Sequence, residues 1–311
     1  MQQIQARRRR PFRWHIIVFL APATIIYTMF MIYPLADTLR LSFYDEATNG
    51  VQTFIGTENY ETLFGVPLWA NQFWNALGNN FVFFLIHMLV QNPIGILLAA
   101  LLSLPGLKMS SSYRTLIFMP TLLSFVVVGF VWNLILSPIW GVSQSFLDFF
   151  GLGHWFAPWL GQEGSALITL ALISVWQFVG IPMMLIYAAL LAIPDELIDA
   201  AHVDGTSGWN IFWKIKLPLI LPTIGVVSIL TFVGNFNAFD LIYVVKGALA
   251  GPDFSTDILG TFLYRTFFGQ QLQLGDPNMG AAIATMMFLI ILAGVVFYLF
   301  VVQRRIQRYE L

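Results

Sequence analysis

The sequence contains no cysteine and very little charge. With no Cys among 311 residues, a disulfide framework, a thiolate metal site and a thiol nucleophile are all excluded. Charged residues make up only 10%, against about 25% in soluble domains, so composition alone argues against a soluble globular fold. Neither sign of charge dominates. The 15 Lys+Arg against 16 Asp+Glu leave a net charge of −1, which excludes a basic nucleic-acid binder. No G-x-x-x-x-G-K-[ST] phosphate loop is present. The histidines His15, His87, His154 and His202 lie in different regions, so no metal site is expected. No Ser-His-Asp set or carboxylate pair falls at one depth. What abounds is apolar: 58% of residues are hydrophobic and the mean hydropathy is +0.76.

The apolar residues fall into six charge-free stretches. These are Trp14–Ala36, Thr62–Leu107 with its apolar heart at Phe81–Leu102, Thr115–Leu147 with its apolar part at Leu116–Leu136, Gly164–Pro194, Leu217–Phe239 and Pro277–Gln303. Each holds roughly 20 mainly apolar residues, enough to cross a ~30 Å hydrocarbon core as helix. Barrel strands would alternate polar and apolar over about ten residues, and these runs are apolar on all sides. The first run is too long for a signal peptide and lacks a small-residue cleavage pattern. The reading is an all-α membrane protein with a six-span domain at 14–303, a basic segment at 1–13 and a tail at 304–311.

Lys and Arg set the orientation. Six spans place both termini on one side, together with Arg7–Arg10, Arg13, Lys108, Arg114, Lys214, Lys216, Arg304, Arg305 and Arg308. The other side has Arg40, Lys246 and Arg265. The positive-inside rule then predicts cytoplasmic termini. The outer segments, roughly 37–78, 137–165 and 247–276, are rich in aromatic residues; Trp69, Trp74, Trp140, Trp155 and Trp159 suit a membrane–water interface.

The cytoplasmic segment of about 194–217 carries a distinct pattern. Pro194 suits the first turn of a helix, and Asp195 and Glu196 complement its positive start. Gly205 can take the left-handed conformation that ends it, and Ser207 can cap a second short helix. On that helix Trp209, Phe212, Trp213 and Lys216 share a face. Ala200 and Ala201 are small enough for another surface to approach, with Asp199 and Asp204 beside them. Such an element either docks a partner or anchors the chain at the membrane.

Here the sequence resembles a known family. Asp199-Ala-Ala-x-x-Asp204-Gly205, followed by Ile215-Lys216-Leu217-Pro218 and Pro222, is similar to the coupling-loop motif of ABC importer permeases, closest to the carbohydrate-uptake, maltose-type branch. Ala21-Pro22, Tyr33-Pro34, Asn59-Tyr60, Phe73-Trp74, Asn79, Tyr113-Arg114, Met119-Pro120, Trp140-Gly141 and Ala281-Ala282 extend the resemblance along almost the whole chain. Two positions depart from it: Asp199 stands where the family has Glu, and Thr206 where it usually has Ala. The resemblance implies a type I permease fold with a cytoplasmic coupling helix, in a bacterial or archaeal plasma membrane. Asp199, Ala200, Ala201, Asp204 and Gly205 would contact the motor. It also implies the partners: a second, non-identical permease chain, two ATP-binding subunits, an outside solute-binding protein and membrane lipid. ATP and Mg would be held by the partner ATPase, this chain having no cofactor and no enzymatic activity of its own.

Polar residues inside spans are the candidate substrate contacts, because an unpaired polar group in lipid is costly. Asn235, Asn237 and Asp240, interleaved with Phe236 and Phe239, suit a sugar: rings stack on C–H faces while amides bond hydroxyls. Asn235 is also the position better matched to the family's cavity-lining segment. Asn235 and Asn237 are 200° apart on a helix (at about 100° per residue), so both face one point only if the helix is broken. Gln177 is a second candidate, or else a helix–helix hydrogen bond. Thr121 is a third, or else bonds its own helix. His87, Gln91 and Asn92 are read as interhelical polar groups. The expectation is a permease for a neutral sugar or oligosaccharide. The alternatives are an ion-coupled secondary transporter using Asp240, or a permease for a polyol or phosphate ester; an anionic ester would favour a Lys or Arg within a span, and there is none.

Overall fold

The computed structural model describes residues 14–46, 50–270 and 274–304. The basic segment 1–13, with Arg7–Arg10 and Arg13, lies outside the described residues, as do Arg305 and Arg308. Among the described residues, four helices are long and apolar enough to cross a membrane: Ile17–Leu41, Pro67–Leu102, Leu221–Lys246 and Pro277–Gln303. Two bent pairs, Ser110–Leu122 with Phe125–Ile135 and Glu163–Phe178 with Gly180–Leu191, bring the number to six when each counts as one span.

The differences from the sequence expectation lie in how the spans are broken. Span two is 36 residues long rather than the 22-residue heart at Phe81–Leu102 (81 to 102 inclusive). Pro67 starts it early at the N-terminal turn, where the missing N–H costs nothing. At 1.5 Å per residue it is roughly 54 Å long, so it projects well beyond the hydrocarbon core. Near its middle, His87–Gln91 forms a π turn in which Asn92 N–H donates to His87 O. Pro93 follows and has no N–H to continue the regular ladder.

Span three is not the single helix expected over Leu116–Leu136. Its halves meet at 96°. Pro120 lies in a tight 3-10 turn at Met119–Leu122, Leu123 is extended, and Ser124 caps the second half by accepting from Val127 N–H at 3.3 Å. Span four bends by 42° at Val179. Gly180 follows the bend, and a Cβ there would sit 2.8 Å from the Phe118 Cα. Only glycine lets these two broken spans approach so closely.

Spans two and four pack along the inner half of the bundle, around buried Ala99, Met183, Ile186 and Ile220. Leu63, Phe73, Phe236, Phe262 and Ile283 form a second cluster toward the outer segments. The first span has no buried residue within its apolar window, and only its outer end, Tyr33–Leu41, packs on the last span.

Outside the spans, an antiparallel ribbon pairs Tyr44–Glu46 with Gln52–Phe54, and a helix runs from Leu259 to Phe268. The sequence reading counted Arg265 of this helix only as an outer positive charge. In the structure it is 2% exposed and paired with Asp257, which is fully buried. Its Nη2 donates to Asp257 Oδ2 at 2.7 Å and to Gln72 Oε1 at 3.2 Å, and Nη1 donates to Ala248 O at 2.9 Å. Thr261 Oγ1 donates to Asp257 Oδ1 at 2.7 Å. Burial pushes the Asp257 carboxyl up, with Arg265 and Thr261 pulling against that shift. Every charge of this pair is satisfied, so removing one partner strands the other. Arg265→Met is expected to destabilise the chain by about 3–5 kcal/mol and to lower its melting midpoint in detergent. Arg265→Met combined with Asp257→Leu should lose less, and an unshifted midpoint in the single variant would show that the pair is not structural.

Candidate functional site

Two sites take shape, one on the loop of about 194–217 and one inside the bundle. On the loop, Asp195–Val203 is helical and Pro194 is the residue just before it, one position earlier than expected. Gly205 has φ +76°, and Thr206 N–H donates to Ala201 O at 3.0 Å, closing the helix end. Ser207 caps the next helix by accepting from Asn210 N–H at 3.4 Å. Asp199, Ala200, Asp204 and Gly205 are exposed, with Val203 between them 88% exposed. Ala201 departs from expectation: it turns inward and is buried. Trp209 and Trp213 meet edge to face at 5.5 Å, both exposed.

Inside the bundle, spans two to five enclose a cavity of about 400 Å³. Its existence depends on a third break. Span five runs as helix to Phe236, leaves it at Asn237–Phe239, and resumes at Asp240–Lys246. The break lets Asn235 and Asn237 line one cavity despite the 200° that would separate them on a continuous helix. Asn235 is buried and its Nδ2 donates to Thr231 O at 2.7 Å. Asn237 is exposed and its Nδ2 donates to Val233 O at 3.0 Å. Asp240 also lines the cavity, exposed, in the first turn of the resumed helix, where a carboxylate complements the helix start. Asn237 and Phe239 are shared with a second cavity of about 460 Å³ against Tyr264, Phe268 and span six.

Gln177 and Thr121 do not line the cavity. They tie the two bent spans together: Gln177 Nε2 donates to Leu123 O in the span-three break at 3.1 Å, and Thr121 Oγ1 donates to Gln177 O beside the span-four bend at 2.9 Å. An extended residue between two helix halves leaves carbonyls without intrahelical partners, and the neighbouring span supplies them. Span two contributes His87. Its Nδ1 donates to Phe83 O, which can only accept, at 2.8 Å, and Ser174 Oγ meets Nε2 at 2.9 Å. Asn92 and Thr231 exchange a hydrogen bond at 3.2 Å. These two bonds bear out the interhelical reading of His87 and Asn92. Among the described residues no group of three His, Asp or Glu is placed to hold a metal ion.

The sequence reading missed Asn80. It is fully buried; its Nδ2 donates to Asn235 O at 2.9 Å, and its Oδ1 accepts from Leu259 N–H at 2.7 Å. One side chain thus ties the Asn235 carbonyl, which also accepts from Ala238 N–H at 3.3 Å beside the span-five break, to the first N–H of the helix Leu259–Phe268. Asn75 and Asn79 donate to Phe254 O and Asp257 O, at 2.9 and 2.8 Å. Three asparagines within six residues, Asn75, Asn79 and Asn80, were the available signal. Asn80→Leu is expected to cost about 1–3 kcal/mol and to speed amide exchange in peptides covering 234–242 and 257–262. Unchanged protection in both would separate Asn80 from the break.

Comparison with known proteins adds a family. Residues 91–307 match the model described as "Binding-protein-dependent transport system inner membrane component". The chain is 32% identical over 278 residues to the probable ABC transporter permease protein YurN of Bacillus subtilis, covering 89% of this chain and 91% of that one. It is 30% identical over 251 residues to the lactose transport system permease protein LacF of Rhizobium radiobacter, covering 81% and 82%. In fold it is similar to a chain of a bacterial ABC transporter involved in the import of the acidic polysaccharide alginate, with TM-score 0.79 and 23% identity over 94% of this chain and 96% of that one.

Proposed function

Because the chain belongs to the family of binding-protein-dependent transport system inner-membrane components, we propose that it forms one half of the pathway by which a neutral sugar or oligosaccharide is imported. It is a multi-pass membrane permease, not an enzyme. The observation that carries the sugar reading is the make-up of the cavity. Amides and hydroxyls at Gln91, Ser174, Thr231, Asn235 and Asn237 are interspersed with the rings of Phe83, Phe125, Phe178 and Phe239, and among the described residues no Lys or Arg lines it. Amides bond hydroxyls and rings cover C–H faces. A phosphate ester would lack a countercharge here. The lactose permease relative supports the same cargo class.

The remaining parts follow from the family. A second, non-identical permease chain would complete the pathway, and a solute-binding protein would deliver cargo from outside. Two ATP-binding subunits, holding ATP and Mg, would dock on the exposed face of Asp195–Asp204, where Val203 and Ala200 stand ready for cover and Asp199 and Asp204 supply charge. Both termini would then be cytoplasmic, in keeping with the distribution of Lys and Arg. ATP binding would draw the loop helices together and turn the cavity outward; hydrolysis would reset it. This is a two-state element biased by ligands on opposite sides of the membrane. Asp240 fits this reading as a helix-start charge rather than an ion-coupling site.

The test is uptake into proteoliposomes holding the full complex. Labelled lactose and maltose are offered against glycerol phosphate, with and without ATP. ATP-dependent accumulation of a neutral sugar is expected, and accumulation of the anion instead would refute the sugar reading. In the same assay Gly205→Pro should abolish ATP-driven uptake while the chain remains inserted, because proline is fixed near φ −65° and this position has φ +76°. Undiminished uptake by that variant would remove the loop from the coupling path.

A further inference from the structure

The cavity wall holds one buried polar side chain that no neighbour satisfies. Gln91 is 6% exposed, lines the cavity, and its Oε1 has no hydrogen-bond partner. The sequence reading placed it with His87 and Asn92 as an interhelical group. Those two do bond neighbouring spans; Gln91 does not. The other buried polar groups on this wall are engaged: His87 with Ser174, Thr231 with Asn92, and the Asn235 nitrogen with Thr231 O.

An unpaired buried amide oxygen is costly, because it loses its water partners and gains none. Gln177 also keeps a buried Oε1 without a partner, but it lies off the cavity, whereas Gln91 lines it. Gln91 sits at the end of the π turn at His87–Gln91, and such turns are frequent at functional sites. The turn makes the backbone bond i to i+5 here, so Gln91 is not held in the regular register that would stack it on His87.

We infer that Gln91 is a cargo-contacting residue, its amide meeting a sugar hydroxyl from the span-two side of the cavity while Asn235 Oδ1 serves the span-five side. The inference rests on the sugar reading above and adds a residue to it. A glutamine amide offers two donors and an acceptor, which matches a hydroxyl in either sense. Its terminal torsion is broad and two-fold, so a half-turn presents Oε1 to an occupant. Two uncharged amides on facing spans bind hydroxyls without favouring an ion.

The experiment is proteoliposome uptake of lactose and maltose by the full complex, wild type against Gln91→Met, with melting midpoints of the sugar-free complexes. Methionine conserves the volume and removes every hydrogen-bonding group. The expected result is a tenfold fall in uptake of the transported sugar, equal to about 1.4 kcal/mol, with a sugar-free midpoint at or above that of wild type, because an unsatisfied atom has been removed. Wild-type uptake with no change in Gln91→Met would overturn the inference alone. A midpoint that falls together with uptake would also overturn it, because Gln91 would then be a packing residue. Absence of sugar uptake by the wild-type complex would overturn the sugar reading and this inference with it.

Discussion

Inside a hydrocarbon layer, every backbone N–H and C=O must find a partner within the protein. The rest of this structure depends on that constraint. A continuous helix meets it alone but presents only a smooth, uniform wall. Here three spans are bent or interrupted, at Leu123–Ser124, Val179 and Asn237–Phe239, and at each a side chain of a neighbouring span bonds a carbonyl. Gln177 bonds the Leu123 carbonyl, Thr121 the Gln177 carbonyl and Asn80 the Asn235 carbonyl. The cavity lies among these breaks, because only a broken helix can turn successive amides toward one point.

The spans themselves were legible because charge is so scarce that each apolar run stands out. Their number, their order and the loop at 194–217 follow from that pattern. The loop helix, the left-handed Gly205 and the Ser207 cap were readable because turn and cap chemistry is local. The break geometry was less so. Pro120 and the Asn235–Asp240 run signalled that something happens at those places, but a 96° bend depends on which neighbour closes it. Gln177 and Thr121 therefore looked like cargo contacts, and in the structure they tie the two bent spans together. Arg265 looked like a surface charge because its partner Asp257, the carbonyl of Ala248 and the amide of Gln72 converge only in three dimensions. Gln91 looked like its neighbours His87 and Asn92 because spacing cannot show which polar side chain lacks a partner.

The outer helix Leu259–Phe268 and the span-five break are mechanically joined. Asn80 holds both, and the Arg265–Asp257 pair locks the helix to the segment before it. A run of buried, hydrogen-bonded groups therefore joins this helix to the cavity wall. At the other end, the second loop helix, Gly208–Ile211, continues through Phe212–Lys216 and Leu217–Leu219 into the same span. Span five thus joins both to one cavity, and its broken point is shared by the two cavities at Asn237 and Phe239.

Because the chain has no cysteine, this point can be tested directly with a single introduced thiol. In an otherwise cysteine-free complex, Asn237→Cys is exposed to membrane-impermeant thiol reagents from either side, with and without a non-hydrolysable ATP analogue. If span five turns the cavity from one side to the other, the thiol is labelled from the cytoplasmic side without nucleotide and from the outer side with it. Labelling that is the same from both sides whatever the nucleotide state would contradict alternating access at this break.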